Sequence, residues 1–192
     1  MSGLIHKELK NINYICRVKN IFLISIIVLG LLAFKVPEKV MKKADKVISK
    51  YYEIDEFTKE SIAFSQEINI KTPSEFGEDN FFKIFSENQL LGYGYIGRAP
   101  SKTADFDYLV LFDSNFIITK SKVLIYREEY GGEIGSKRWL KQFIGKFSDS
   151  PELIAGKSIV PISGATISVK SMTNAINDLL KSIKVLEDLN KI

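Results

Sequence analysis

Hydrophobic positions divide the chain into segments of different period. Residues 20–34, NIFLISIIVLGLLAF, have no period at all: they carry no charge and no proline, and Lys19 and Lys35 bracket them. Beyond them, Val40, Val47, Ile48, Tyr51 and Tyr52 recur as a stripe, which predicts a helix over 38–66 whose lysines face water. Turn residues dominate 67–89, at Thr72-Pro73-Ser74 and Gly77-Glu78-Asp79-Asn80. The period then shortens to two. Leu90 to Gly97 reads as a strand in which glycines admit close backbone approach. Phe106, Tyr108, Val110 and Phe112 alternate with Asp107, Leu109 and Leu111, a strand with one aromatic face. Asp113-Ser114-Asn115 turns the chain, and 116–126 returns as the second arm of an antiparallel hairpin. Ser136 caps a short helix over KRWLKQFI, with Gly145 as its stop and Trp139, Leu140, Phe143 and Ile144 as its apolar stripe. The last 25 residues repeat apolar side chains every three or four positions from Val169 to Leu189, which predicts an amphipathic helix. The expected class is α+β: an antiparallel sheet with flanking helices, preceded by one N-terminal transmembrane helix.

That transmembrane reading rests on the uncharged run. As a helix its fifteen residues span about 22 Å, less than the roughly 30 Å hydrocarbon core. Snorkelling by Lys19 and Lys35, with Val18 and Val36 extending the apolar surface, makes up the difference. A signal peptide would need a small-x-small cleavage site, which LLAFKVPEK does not offer, and a core helix would need more of a polar stripe than Asn20 and Ser25 supply. The resulting organisation is a tail over 1–19, an anchor over 20–36, a helical linker over 37–89 leading into the domain, and the domain itself over 90–192.

Charge sharpens this. The 192 residues carry a net +4, which alone could suggest nucleic acid. The bases are concentrated beside the run: Lys7, Lys10, Arg17 and Lys19 before it, against Glu8, and Lys35, Lys39, Lys42, Lys43, Lys46 and Lys50 after it, against Glu38 and Asp45. These flanks exceed the whole chain's charge, so residues 51–192 are net acidic. No groove-reading motif accompanies the lysines, and a nucleic-acid partner is not expected. The linker helix could also rest on anionic lipid. Orientation does not follow from the count, because both flanks are basic. One cysteine, Cys16, excludes an internal disulfide framework, and one histidine, His6, leaves no histidine-based triad or metal cluster. No metal site is expected.

Ser163-Gly164-Ala165-Thr166, followed by Ile167 and Ser168, is the string with chemical content. It is a small-residue turn at the start of a helix, where free N–H groups and the helix dipole favour a phosphate. A simpler reading is that Thr166 or Ser168 only caps the helix. With this motif the chain resembles the FMN-binding domain family, which includes the periplasmic flavin subunits of the Rnf complex and of the sodium-pumping NADH:quinone reductase. In those subunits a threonine within Ser/Thr-Gly-Ala-Thr is esterified to the FMN phosphate by a separate FAD:protein FMN transferase. The resemblance spans roughly 90–180. It also takes in the acidic, glycine-rich stretch Glu128–Gly135 and Ser136-Lys137-Arg138-Trp139-Leu140-Lys141-Gln142-Phe143, which is like the family's Lys-Trp-Leu-x-x-Phe helix.

The resemblance implies FMN as cofactor, Thr166 as its attachment residue, and Ser163, Gly164, Ala165, Ser168, Glu128, Glu129, Gly131 and Gly132 as its surroundings. It implies no catalytic residue in the chain itself, and an electron carrier rather than a stand-alone enzyme. Further expectations are the inner membrane, the transferase and other redox subunits as partners, and a single-pass topology with the C-terminal domain in the periplasm. Tyr93, Tyr95 and Tyr126 are candidate ring neighbours or core residues, Glu133 could join the two glutamates, and Arg127, Lys137 and Arg138 are candidate phosphate partners. The loop Ser101-Lys102-Thr103 has no assigned role. The family often has an acid three positions before the motif serine, where this chain has Val160. That difference keeps open an FMN-fold binding or assembly module without covalent flavin.

Overall fold

The computed structural model describes residues 35–192. Five strands form one antiparallel sheet in sequential order: β1 (Thr58–Ser61), β2 (Phe81–Ser86), β3 (Gln89–Pro100), β4 (Asp105–Phe112) and β5 (Ile118–Ile125). A helix lies on each face, α1 (Glu38–Tyr52) before the sheet and α4 (Thr166–Asp188) after it. Two short helices complete the set, α2 (Gln66–Asn69) and α3 (Lys137–Leu140).

The alternation in β4 explains why both faces need a cover. Phe106, Tyr108, Val110 and Phe112 point to one side and pack with Val169, Met172, Ile176, Leu179 and Ile183 of α4. Leu109 and Leu111 point to the other and pack with Val40, Ala44 and Ile48 of α1. A strand buried on both faces has no wet side, and this one has none from Phe106 to Phe112. Each large side chain so buried contributes about 1.5–3 kcal/mol. Glycines let the layers close. A Cβ at Gly94 would stand 2.4 Å from the Phe82 ring, and one at Gly97 would stand 2.3 Å from the ring of Tyr108.

The antiparallel sheet with flanking helices matches the sequence expectation, with several differences. Helix α1 stops at Tyr52, where Glu53 turns left-handed (φ 56), and the rest of the stretch expected as helix holds β1. It is also a core helix: Val40, Ala44 and Ile48 are fully buried. Strand β2 gave no period-two signal because Phe81 and Phe82 are adjacent and face opposite sides. The apolar stripe of KRWLKQFI ends at Phe143: Ile144 and, at the far end of α4, Leu189 are exposed.

The anchor expected over 20–36 lies outside the described residues except for its last two. Of these, Val36 is buried in the core beneath α1, and its N–H donates to Asp79 Oδ1 at 2.9 Å. Among the described residues no helix is long and apolar enough to cross a membrane.

Candidate functional site

The Ser163–Thr166 string forms the turn that starts α4. Gly164 takes φ +77, which a side chain would resist, and Ala165 occupies the cap position. No side chain caps this end of the helix. The simpler expectation for Thr166 and Ser168 is therefore not met, and the first-turn N–H groups remain available to a ligand. Thr166 is the first helical residue, its side chain is exposed, and its hydroxyl makes no hydrogen bond among the described residues. Ser163 and Gly164 are exposed beside it.

Ser168 faces the other way. It is buried, and its Oγ lies 2.5 Å from Ser101 Oγ and 3.0 Å from the Tyr126 hydroxyl. Tyr126 donates its single proton to Tyr130 O at 3.0 Å, so it accepts from Ser168, and Ser168 accepts from Ser101. Three segments meet through this chain of hydroxyls: the β3–β4 loop, the end of β5, and α4. A fourth contact seals it, since a Cβ at Gly131 would stand 2.6 Å from the Ala165 Cβ. Gly131 (φ +78) is buried there, whereas Gly132 is exposed with open space around it.

The unassigned loop at Ser101 is thus part of the site, and Glu128 holds it. The Glu128 carboxylate accepts from Thr103 N at 2.6 Å, Thr103 Oγ1 at 2.7 Å and Ala104 N at 3.1 Å. Those bonds, the Thr103 amide above all, hold its pKa down to about 2. Glu129 and Glu133 are solvent-exposed.

Of the three candidate tyrosines, Tyr126 is the one that touches the motif, through Ser168. Tyr93 packs on Phe116 at a 4.3 Å ring separation, and Tyr95 is buried among Phe76, Phe81 and Tyr108. Arg127 is committed elsewhere: it pairs with the buried Asp107, shared with Arg98, and donates to Asp105 O. Lys137 lines a separate groove, and Arg138 is exposed.

The segment before the motif is clamped at two points. Asn177 on α4 accepts from Leu153 N at 3.0 Å and donates to Leu153 O at 2.8 Å. Further along, Trp139 Nε1 donates to Val160 O at 2.8 Å, and Gln142 Oε1 accepts from Val160 N at 2.7 Å. The Trp-Leu-x-x-Phe helix therefore fixes the approach to the motif through Val160's backbone, while the valine side chain stays 62% exposed. Between the clamps and α4 lies a cavity of about 500 Å³ whose wall includes Leu153, Ile154, Pro161, Thr166 and Val169. Its one lining cation is Lys170, a helical turn beyond Thr166.

These features fit a flavin phosphate: an uncapped helix start, an unengaged threonine hydroxyl, a cation on the same face and an apolar-walled cavity alongside. Neither Lys170 nor the clamp residues Asn177 and Gln142 stood out in the sequence. The i, i+4 spacing from Thr166 was the available signal for Lys170, whereas a long-range amide clamp leaves none.

Comparison with known proteins bears on the same segment. No curated protein matches the chain. Among solved structures, the crystal structure of Shewanella oneidensis NqrC is similar over 70% of this chain and 70% of that one, with 17% identity and a TM-score of 0.47. Residues 103–181 match the family model described as the FMN-binding domain. That stretch opens at the loop tied down by Glu128, contains every candidate residue of the motif and the glycine turn, and ends within α4. Over residues 103–181 the chain is therefore similar to the FMN-binding domain, and that match supports FMN as the cofactor.

Proposed function

We propose that the protein is a membrane-anchored electron-transfer flavoprotein whose FMN is attached to Thr166 through a phosphoester. The observation that carries the reading is the contrast between two hydroxyls two residues apart, on opposite sides of the helix start. Ser168 is buried and doubly bonded, while Thr166 is exposed and bonded to nothing among the described residues. A transferase can reach only the second.

In the loading step, Thr166 Oγ attacks the FMN-side phosphorus of FAD, loses its proton, and displaces AMP. Once bound, FMN supplies reversible redox chemistry that no side chain here provides. This chain's residues do the rest. Thr166, Ile167 and Ser168 offer backbone N–H donors, and Lys170 balances the phosphate charge. The walls at Leu153, Ile154 and Pro161 cover an apolar surface, and the clamps of Asn177, Trp139 and Gln142 keep those walls in register.

The topology belongs to the same proposal. Residues 20–34 anchor the chain in the inner membrane, residues 1–19 stay in the cytoplasm, and the flavin domain meets the transferase and other redox subunits in the periplasm. Protease treatment of spheroplasts should digest the C-terminal domain and spare the tail; cleavage of residues 1–19 alone would reverse the topology.

Co-expression with an FAD:protein FMN transferase tests the attachment. After denaturing electrophoresis the wild-type band should fluoresce under ultraviolet light. Thr166→Ala should be dark, and Thr166→Ser should recover at least part of the signal. A dark wild-type band beside a labelled control protein refutes the covalent link. It would favour the non-covalent binding or assembly module that Val160, in place of an acid, keeps in view.

A further inference from the structure

Away from the flavin site, three elements bring six lysines around one groove. Lys46 and Lys50 come from α1, Lys120 and Lys122 from β5, and Lys137 and Lys141 from α3 and the turn after it. The groove encloses about 600 Å³ and runs past the edge of the sheet, because β5 is the terminal strand. Its floor is apolar, formed by Val47, Tyr51, Leu140 and Ile144, and no carboxylate lines it.

The cations are uncompensated. Several other lysines of the domain have acidic partners, among them Lys42 with Glu38, Lys59 with Asp45 and Lys181 with Glu152. None of the six in the groove is ion-paired among the described residues; Lys120 only overlies the Tyr51 ring, 5.7 Å from its centre. Partial burial lowers the Lys120 pKa, and Lys137, Lys122 and Lys50 lower it further. Unmatched charge of one sign above an apolar floor calls for a ligand with an anionic head and an apolar body. A nucleic acid or a simple acidic peptide would use the lysines and leave the floor idle.

We propose that this groove binds an anionic phospholipid, with the phosphate among the lysines and the glycerol and upper acyl segment over Val47, Tyr51, Leu140 and Ile144. The choice of a lipid rests on the anchor reading above, since the apolar run ends at residue 34, four residues before α1 begins. A basic residue at an anionic lipid surface contributes about 1 kcal/mol, so each charge removed should weaken binding about fivefold.

The test uses the full chain in a neutral detergent, with acetylation of each lysine followed by mass spectrometry. Soluble dihexanoyl-phosphatidylglycerol should slow labelling of Lys50, Lys120 and Lys141 several-fold, while Lys157 and Lys191, outside the groove, are unaffected. Dihexanoyl-phosphatidylcholine, inorganic phosphate and an oligoglutamate peptide should give no such protection. The pair Lys120→Glu with Lys137→Glu should abolish protection. Lys50→Ala with Lys141→Ala should weaken it about 25-fold, by the same per-residue energy, and serves if the first pair disturbs the circular dichroism spectrum. Absence of protection by phosphatidylglycerol overturns the proposal. So does equal protection by phosphate, which marks a bare anion patch, or by oligoglutamate, which marks an acidic protein partner. The anchor reading is judged separately, by whether alkaline carbonate releases the chain from cell membranes; short-chain lipid binding does not depend on that result.

Discussion

Replacing Gly131 by alanine probes the contact that joins the two turns of the candidate flavin site. Two costs add. The residue sits at φ +78, where a non-glycine residue loses about 1–2 kcal/mol. The new methyl would lie 2.6 Å from the Ala165 Cβ and 3.1 Å from the Tyr126 hydroxyl, against a comfortable carbon separation of about 3.5–4.0 Å. Relief requires the glycine turn or the Ala165 turn to move by about an ångström, and such overpacking costs about 1–3 kcal/mol. The expected loss is about 2–5 kcal/mol. Gly132→Ala is the matched control: its Cβ meets nothing within 4 Å, so its effect should stay within about 0.5 kcal/mol. Urea unfolding followed by the single tryptophan, Trp139, gives both numbers, and in-gel flavin fluorescence reports whether Thr166 is still loaded. Adding Ala165→Gly to the Gly131→Ala variant should return the steric part and leave the backbone part. If the two single variants differ by less than about 0.5 kcal/mol, or if Ala165→Gly rescues nothing, the contact is not what joins the two turns.

Further outcomes follow from the same geometry. Ser168→Ala should cost about 1–3 kcal/mol in urea, because Ser101 and Tyr126 lose a buried partner. Lys170→Glu should leave unfolding nearly unchanged and reduce flavin loading, read as in-gel fluorescence per unit of protein. Glu128 should make the Thr103–Ala104 tie pH-dependent. Its pKa falls from 4.5 in the unfolded chain to about 2 on folding, so its contribution is complete above about pH 4.5 and is lost as pH falls toward and through about 2. Comparing urea midpoints of the wild type and Glu128→Gln across that range should show the difference shrinking as acid is added; a constant difference contradicts the assignment.

Much of this architecture is written in local periods. The β4–β5 hairpin and α4 announce themselves because each buries residues at the spacing of its own backbone, and the turn at Ser163–Thr166 is legible because small residues precede a helical stripe. The misses share a cause. In β2, Phe81 and Phe82 are both buried on opposite faces, so alternation disappears. Helix α1 resembles a wet linker in sequence because lysines outnumber its three fully buried residues, Val40, Ala44 and Ile48. Arg127 resembles a phosphate ligand until Asp107, twenty positions earlier in the chain, claims it. The Ser101–Ser168 and Asn177–Leu153 contacts span 67 and 24 residues, and a hydrogen bond from a polar side chain to a distant side chain or backbone group imposes no spacing on either partner.

The hydroxyl relay through Ser101, Ser168 and Tyr126 has a consequence for biogenesis. Its members leave the ribosome in the order 101, 126, 168, and they meet only after β3, β4 and β5 have paired and α4 has docked on them. Thr166 is therefore presented on a fixed surface late in folding, whereas in a nascent or misfolded chain the same four-residue string has no helix start behind it. With the proposed phosphoester at Thr166, attachment of the cofactor would double as a proofreading step: a fluorescent polypeptide would be one whose sheet was complete when the transferase met it.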